Sequence, residues 1–240
     1  MKNSNIFKYF LPIGVISFVS YTNIALANEK SNFNGLYVSL GASKAKITSS
    51  NNNRADVDLS GNIITEQDFK DNDEVYDYGV SYTHSLNTKF NISYILEFSP
   101  NKITNNYSGT QGSISKKDEI DNLKKFNLQL GYLATPELQI GFKAGLVKAD
   151  AKYTLNNYNI DLSGNTVSSS SENHNLTGKS FGINAKKKLN ENLFLNFDYS
   201  IVSFDKNDLN FNSRLFTTNA PNKSEHKIDF FTVGISYKFN

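Results

Sequence analysis

Apolar and polar residues alternate along much of the chain. Every second position between residues 88 and 99 is apolar, and the residues concerned are Phe90, Ile92, Tyr94, Leu96 and Phe98. A period of two sustained over about ten residues is typical of a β-strand with two different faces and does not fit a helix. The segment is therefore predicted to be a strand.

The same alternation recurs in seven further segments of similar length. Their apolar faces carry Leu36, Val38, Leu40 and Ala42; Tyr76, Tyr78, Val80 and Tyr82; Phe126, Leu128, Leu130 and Tyr132; Leu138, Ile140, Phe142, Ala144 and Leu146; Phe181, Ile183 and Ala185; Leu193, Leu195, Phe197, Tyr199 and Ile201; and Phe231, Val233, Ile235, Tyr237 and Phe239. The pattern predicts an all-β chain of eight strands.

Short and long connections between these strands also alternate. Three are tight turns, at residues 85–87, 135–137 and 189–192. The other four are long and polar, at residues 46–73, 100–122, 150–175 and 205–225. Short turns at one end and long loops at the other are typical of outer-membrane barrels. We therefore predict an antiparallel up-and-down barrel with short periplasmic turns, both termini periplasmic and four long extracellular loops.

The second face of each strand distinguishes a membrane barrel from a soluble one. It is small and rich in amides and hydroxyls, as in the run Gln139, Gly141, Lys143 and Gly145. Such residues suit the crowded lumen of a narrow barrel. The apolar face carries almost no charge in mid-strand, where a cation facing lipid costs about 2–4 kcal/mol. A lipocalin, with its bulky apolar face turned inward, fits less well.

Two segments resemble a known family. The run that contains Phe231, Val233, Ile235, Tyr237 and Phe239 resembles the C-terminal signature of bacterial outer-membrane proteins, and residues 33–41 resemble the opening strand of OmpA/OmpX-like barrels. The resemblance implies an eight-stranded porin-family surface protein of a Gram-negative bacterium. It also implies that the barrel-assembly machinery recognises the terminal strand during insertion.

The N-terminus has the features of a secretory signal peptide. Lys2 and Lys8 form a basic region, a short apolar stretch follows, and Ala25 and Ala27 fit a small-x-small cleavage site. We predict that residues 1–27 are cleaved and that residues 28–240 form the barrel domain in the cell outer membrane. The apolar stretch is too interrupted by polar residues to be an anchor helix.

Composition and charge narrow the function further. The chain has no Cys, which excludes disulfides, thiolate catalysis and Cys-ligated metals. The formal net charge of +2 is too mild for a nucleic-acid-binding surface, and Lys2 and Lys8 account for it. The mean hydropathy of −0.45 argues against a bundle of membrane helices. It does not argue against a membrane barrel, whose lumen and loops are polar.

Four charged residues are predicted to face the lumen. Lys143 and Asp198 lie at similar distances from the periplasmic turns, whereas Asp77 and Glu97 are expected nearer the outer mouth. A pair between Lys143 and Asp198, bridged by Gln129, Asn184 or Asn196, would satisfy buried charges and plug the bore. The alternative is a path for ions or small solutes.

Candidate catalytic residues are few. Among three His, His174 follows Ser171 and Glu172, and His226 follows Glu225. These are ingredients of a lipid A-modifying enzyme, but their spacing is not diagnostic. We expect no catalysis, no metal and no cofactor.

The long loops suggest a role at the cell surface. Residues 57–64 and 160–167 share the pattern Asp-Leu-Ser-Gly-Asn, which predicts hairpin tips with Gly-Asn in the turn. The strands are expected to continue beyond the bilayer as hairpin arms. Loops 46–73 and 150–175 could bind a host or neighbouring-cell ligand, and loop lysines such as Lys152 could contact lipopolysaccharide phosphates. The expected function is structural or adhesive, with a narrow pore and a lipid A-modifying enzyme as alternatives.

Overall fold

A computed structural model describes residues 32–52, 67–108, 114–161, 164–209 and 222–239. The predicted signal peptide, residues 1–27, lies outside them. The strands are β1 (Gly35–Asn52), β2 (Gln67–Ser85), β3 (Phe90–Ser99), β4 (Ile103–Ser108), β5 (Ile114–Thr135), β6 (Leu138–Asp161), β7 (Gly164–Lys188), β8 (Leu193–Phe204), β9 (Asn207–Leu209) and β10 (Asn222–Phe239). In this described part of the chain, no helix has the length and apolar character needed to span a membrane.

The strands form one closed antiparallel sheet. The order around the ring is β1-β2-β3-β5-β6-β7-β8-β10, and β10 pairs back with β1. Val38 of β1, for example, lies opposite Val80 of β2 on one side and Tyr237 of β10 on the other. Short β4 continues the pairing of β3 with β5, and β9 continues that of β8 with β10. The predicted eight-stranded up-and-down barrel is confirmed.

One end of the barrel is closed by tight turns. The Asn87 side-chain oxygen accepts hydrogen bonds from the N–H groups of Lys89 and Phe90, both at 2.8 Å. Asn190 repeats this arrangement, accepting from Leu193 at 2.8 Å. Asn is favoured in turns because its side chain can satisfy nearby backbone donors in this way. The third connection, between β5 and β6, is only residues 136–137. We call this the turn end.

The strands are far longer than a bilayer requires. Strands β6 and β7 contain 24 and 25 residues, whereas a strand that crosses hydrocarbon needs about 9–11. They pair without a break from Leu138, opposite Lys187, to Asp161, opposite Gly164. We call the far end of the barrel the extended end. Most of the predicted connection 150–175 is therefore a regular hairpin arm, as expected from its repeat.

The position of the hairpin tip differs from the prediction. Gly164 and Asn165 were expected in the turn, but they pair with Asp161 and Ile160. Local preference of Gly and Asn for turns is overridden here by a register that is fixed over the whole length of β6 and β7. The matching tip at residues 57–64 lies outside the described residues.

The predicted apolar faces all point outward. Phe142, Leu40 and Phe181 are 70%, 59% and 59% exposed, which is unfavourable in water and favourable in hydrocarbon. The exposed apolar residues form a continuous belt around the barrel, the apolar band. It begins next to the tight turns and ends about a third of the way along β6 and β7, at Leu146 and Phe181.

The polarity of the two faces inverts where the apolar band ends. On β6 the outward residue Leu146 is followed by outward Lys148, and the inward face changes from Lys143 to Val147. The corresponding outward changes on other strands are Ala42 to Lys44, Tyr76 to Glu74, Phe126 to Lys124, Phe181 to Lys179, Ile201 to Ser203 and Phe231 to Asp229. Side-chain direction stays the same, so the outside changes from apolar to polar and the inside from polar to apolar.

Beyond the band the barrel interior is an apolar core. We call it the upper core; its residues are Ala45, Ile47, Val75, Ile103, Ile120, Leu123, Val147, Ala149, Ala151, Tyr153, Leu176, Val202, Phe204, Ile228 and Phe230. Within the band the lumen is polar as predicted, and beyond it apolar residues dominate the interior, with a smaller set of buried polar residues among them: Ser49, Asn105, Lys116, Asp118, Ser224 and His226. The inversion follows the surroundings: a barrel wall in lipid can enclose polar groups, whereas a wall in water is stabilised by burying apolar ones.

A β-bulge in β5 maintains this core. The register with β6 shifts between Asp121 and Lys124, and Asn122 has a φ of 51°, a conformation that Asn tolerates better than most residues. Because of the shift, Ile120 and Leu123 both point inward although they are three residues apart. β5 therefore contributes inward-facing apolar residues to the upper core both before and after the bulge.

Candidate functional site

A buried charge network lies in the middle of the lumen. Lys143 Nζ is 2.8 Å from Asp198 Oδ2 and 3.0 Å from Glu97 Oε1, and Lys125 Nζ is 3.2 Å from Glu97 Oε2. Both lysines are more than nine-tenths buried. Two cations and two anions thus neutralise one another across strands β3, β5, β6 and β8. The structure brings together three of the four charged residues that the sequence places in the lumen.

The depth predicted for Glu97 is wrong. It was expected nearer the outer mouth, but its contact with Lys143 puts it at the level of the Lys143–Asp198 pair. Strands of a barrel are tilted and staggered, so residues at different distances from their turns meet at one level. Counting from the turns could not supply that stagger.

Lys125 and Asn127 are two members that the sequence reading missed. Asn127 donates to Glu97 Oε2 at 3.1 Å and accepts from Ser180. Both lie on the inward face of β5, which the alternation around Phe126 and Leu128 already defined. The alternation of inward and outward side chains along β5 could therefore have identified both residues as facing the lumen.

The amides predicted to bridge the network do not contact it. Asn196 donates to Ser236 at 2.6 Å, while Gln129 Oε1 and Asn184 Oδ1 find no hydrogen-bond partner among the described residues. Lys143 contacts its carboxylates directly, so a bridging amide is not needed.

Asp77 lies apart from the charge network. Its carboxylate accepts hydrogen bonds from Ser43 and Ser99, and Ser43 is also 2.6 Å from the Thr232 hydroxyl. These hydroxyls come from strands on both sides of β2. Asp77 is thus satisfied by neutral donors, which can stabilise a buried carboxylate without a cation.

An aromatic layer fills the lumen at the turn end. The rings of Phe33 and Tyr37 lie 5.4 Å and 5.3 Å from that of Phe194, and the Tyr37 hydroxyl donates to the Phe33 carbonyl at 2.7 Å. Lys186 Nζ lies 4.0 Å above the Tyr37 ring. Together with the charge network and the upper core, this layer places side chains across the bore at three successive levels.

A polar cluster sits inside the upper core around His226. Its Nδ1 is 2.8 Å from Ser49 Oγ, and its Nε2 is 2.8 Å from the Tyr153 hydroxyl and 3.0 Å from Ser224 Oγ. His226 lies five residues beyond Phe231, outside the apolar band, and is completely buried. Burial lowers the pKa of His226 to about 4. The ring is therefore neutral near pH 7 and serves as a hydrogen-bonding centre.

The predicted catalytic ingredients are separated or buried. Glu225, next to His226, points outward and pairs with Lys206 at 3.1 Å. His174 Nε2 is 3.1 Å from Glu172 Oε2, on the inward face, whereas Ser171 belongs to the outward face. A nucleophilic serine needs its base within hydrogen-bonding reach. Ser49 has such a base but no exposed surface.

The residues of the predicted assembly signal all point outward and form part of the apolar band. Their exposed fractions lie between 40% for Val233 and 54% for Phe231; the full set is Phe231, Val233, Ile235, Tyr237 and Phe239. They lie on β10, the strand that closes the ring against β1. Recognition of this strand during insertion stays a prediction.

The family described as outer membrane protein beta-barrel domain matches residues 14–239 of the chain. No curated protein matches it. Among solved structures, the outer membrane protein OprG of Pseudomonas aeruginosa is similar over 86% of this chain and 97% of that chain, with 17% identity and a TM-score of 0.51. This likeness shows the fold.

Two other barrels show weaker similarity. The outer membrane protease OmpT of Escherichia coli matches 89% of this chain and 99% of that one, at 12% identity and a TM-score of 0.48. The attachment invasion locus protein Ail of Yersinia pestis, solved with the heparin analogue sucrose octasulfate, matches 86% and 100%, at 12% identity and a TM-score of 0.44.

Proposed function

Because the chain belongs to the outer membrane protein β-barrel domain family, we propose that it is a closed, non-catalytic barrel that presents its extended end to ligands outside the cell. The apolar band places the barrel in the outer membrane, in contact with lipid and lipopolysaccharide. The tight turns then face the periplasm and the extended end faces outward, as is usual for such barrels.

The observation that carries the proposal is the filling of the bore at three levels. The charge network lies in the lumen within the band, and its Lys125 Nζ is 4.8 Å from the centroid of the Phe230 ring on β10. The aromatic layer lies below the network, and the upper core lies above it. An eight-stranded barrel is just wide enough for side chains to fill. A continuous water path would have to pass the buried side chains of the upper core and of the His226 cluster within it, which supports a closed barrel over a pore.

The hairpin formed by β6 and β7 supports a binding role. It continues fifteen residues beyond Leu146, the last apolar residue of the band on β6, and stays paired to Asp161. Outside the cell this hairpin is a paired extension of the barrel wall, and its sequence is rich in Asn and Ser. Binding surfaces are commonly built in this way. Residues 46–73 and 150–175 are the segments we expect a ligand to contact.

Shortening the hairpin tests the binding role. Replacing residues 158–167 with Asn-Gly joins Asn157 to Ser168, which are paired in the structure, through a two-residue turn. We expect cells that carry this variant to lose adhesion to host or neighbouring cells, while the purified barrel keeps the gel mobility of the folded wild type. Replacing Thr135 with Ser at the turn end serves as control. Unchanged adhesion would contradict the binding role.

Planar-bilayer recording tests closure, and lipid A mass spectra test catalysis. The purified protein should give no stepwise currents of a water-filled pore, and lipid A from cells with and without the gene should have the same masses. Stepwise currents in the wild type would overturn the closed barrel. A mass change that disappears with Ser49→Ala or His226→Gln would overturn the non-catalytic assignment.

A further inference from the structure

Beyond the apolar band the ring of paired strands divides into two half-walls. On one side of the barrel, β2 pairs with β3 only as far as Tyr78, opposite Phe98, and β4 pairs with β5. On the other side, β7 pairs with β8 only as far as Gly178, opposite Phe204, and β9 pairs with β10. In the described part of the chain, no backbone ladder joins β2 to β4 or β7 to β9. We call β9-β10-β1-β2 the first half-wall and β4-β5-β6-β7 the second half-wall, and the two boundaries between them the seams.

The seams are bridged close to the apolar band. At the β7–β9 seam, the Asp205 N–H donates to the Thr177 carbonyl at 2.8 Å. At the β2–β4 seam a side chain takes the place of the ladder, because the Thr104 N–H donates to the Asp73 carboxylate. The half-walls are therefore joined at their base by the closed ring and by these bonds. Farther from the membrane, the described contacts between them lie across the barrel interior.

A cluster of hydrogen bonds joins the two half-walls across that interior. The His226 imidazole on β10 is 2.8 Å from the Tyr153 hydroxyl on β6, and Ser49 on β1 accepts from the Asn105 side chain on β4 at 2.9 Å. His226 Nδ1 is also 2.8 Å from Ser49 Oγ, so the two bridges form one network. All four side chains are buried. We call Ser49, Asn105, Tyr153 and His226 the latch.

Several charged and titratable groups surround the latch. They are Lys116 and Asp118 of β5, Tyr153 of β6, Glu172 and His174 of β7, and Glu225 of β10. Asp118 and Glu225 raise the pKa of His226 and Lys116 lowers it, but burial has the largest effect and brings the pKa to about 4. The closed half-walls therefore hold the ring in its neutral form.

Protonation of His226 opposes contact between the half-walls. A charge enclosed in an apolar core is destabilising unless it is paired. The protonated ring also donates at both nitrogens, whereas the neutral ring donates at one and accepts at the other, so protonation changes the hydrogen bonds that the latch requires. Water that enters between the half-walls solvates the charged ring. The open arrangement therefore binds the proton more tightly than the closed one.

We propose that the latch is acid-sensitive: protonation of His226 separates the two half-walls along the seams and opens the extended end, while the barrel within the apolar band stays closed. The upper core, which includes Ile228, is then exposed to the medium outside the cell. This device goes beyond the proposed function, because it responds to the pH of the medium and requires no ligand at the β6–β7 hairpin.

Hydrogen–deuterium exchange of the full chain in detergent, followed by mass spectrometry between pH 7 and pH 4, tests the latch. Exchange is corrected for the intrinsic rate at each pH. Peptides from residues 149–154 and 222–229 report on the extended end, and peptides from residues 231–239 report on the band. The opening constant of the extended end should rise about a hundredfold from pH 7 to pH 4, since the pKa of His226 is 6.5 when the ring is free and about 4 in the closed latch.

Two histidine variants assign the effect. His226→Gln keeps a polar side chain without a titrating group and should reduce the rise to less than about twofold. His174→Gln, the matched control, removes a histidine that contacts the Tyr153 ring from the side of β7 and should keep the full rise. A rise that persists in His226→Gln would overturn the proposal. Band peptides that exchange together with the extended end would also overturn it, because the whole barrel and not the latch would then open.

Tyr153→Phe tests the bond across the interior and leaves the titrating ring in place. Loss of the hydroxyl should raise the opening constant at pH 7 about fivefold, as expected for one hydrogen bond, and the dependence on pH should remain. An unchanged opening constant at pH 7 would show that the contact between His226 and Tyr153 does not hold the half-walls together.

Discussion

Lys143 Nζ and Asp198 Oδ2 lie 2.8 Å apart although strand β7 separates their strands in the sheet. Lys143 reaches Asp198 along the wall by passing over Gly182 of β7, where a Cβ would lie 3.1 Å from the Lys143 Cε. The contact is part of the buried network that also contains Glu97 and Lys125. Its removal gives the first prediction.

Lys143→Met should destabilise the barrel strongly. The substitution leaves Glu97 and Asp198 with only Lys125 as a cationic partner, and breaking a buried ion pair by removing one partner costs about 3–5 kcal/mol. The measurement is urea unfolding of the protein in detergent, followed by tyrosine fluorescence and gel mobility.

The double variant Lys143→Met/Asp198→Asn is the control for that prediction. It removes one cation and one anion and leaves the Lys125–Glu97 pair at 3.2 Å. We expect it to be more stable than Lys143→Met alone, because no uncompensated charge remains. A double variant that is less stable than the single one would show that Lys143 acts through packing and not through charge.

The charge network shows how far the sequence could predict the interior. Strand parity placed Lys143, Asp198 and Glu97 in the lumen correctly, because side-chain direction in a strand is a local property. Which of them meet depends on the stagger between strands that are distant in sequence. That stagger is set by closure of the whole ring, so Glu97 was placed too high and Lys125 was overlooked.

The upper core was predictable in principle from the same alternation. In the run Lys44, Ala45, Lys46 and Ile47, the period of two continues after the apolar band, but the apolar residues move to the other parity. Loop composition concealed this signal, because Asn- and Ser-rich segments such as residues 164–175 contain few apolar residues. The pairing of residues 164–175 with β6 is fixed by the partner strand, and it cannot be inferred from the composition of the segment itself.

A charge on the outward face should be tolerated only beyond the apolar band. Phe142→Arg places a cation in hydrocarbon and should destabilise the barrel by about 2–4 kcal/mol. Asn175→Arg, on the outward face of β7 beyond Lys179, should change stability by about 0.5 kcal/mol or less. The measurement is the equilibrium between folded and unfolded protein in lipid vesicles. A similar loss for both variants would contradict the boundary we assign to the band.

Truncation of the upper core should loosen the extended end. Ile228 is completely buried, and Ile→Ala in a packed core costs about 2–5 kcal/mol. We expect Ile228→Ala to make the extended strands sensitive to protease on intact cells, while the part within the band stays protected. Val233→Ala on the lipid-facing side of the same strand is the control. If both variants were equally resistant, the upper core would not be what stabilises the extended end.

Stability should fall with acid because of His226. Burial lowers its pKa from 6.5 to about 4 in the folded protein, so between these values the unfolded chain binds a proton that the folded protein does not. The contribution of His226 to the free energy of unfolding is therefore constant above pH 6.5. It decreases as the pH falls from 6.5 to 4, by roughly 3 kcal/mol in total. The charged side chains that act on His226 are Asp118 and Lys116, which form an ion pair at 3.4 Å, and Glu225.

His226→Gln isolates this effect from the titration of carboxylates. The variant keeps a polar side chain but has no group that titrates near pH 6, so its unfolding midpoint in urea should decline less than that of the wild type between pH 7 and pH 4.5. His84→Gln, at the turn end, removes a histidine outside the cluster and should keep the wild-type slope. Identical slopes for His226→Gln and the wild type would mean that the buried imidazole does not resist protonation, and that the hydrogen bonds to Ser49 and Tyr153 can form with a charged ring.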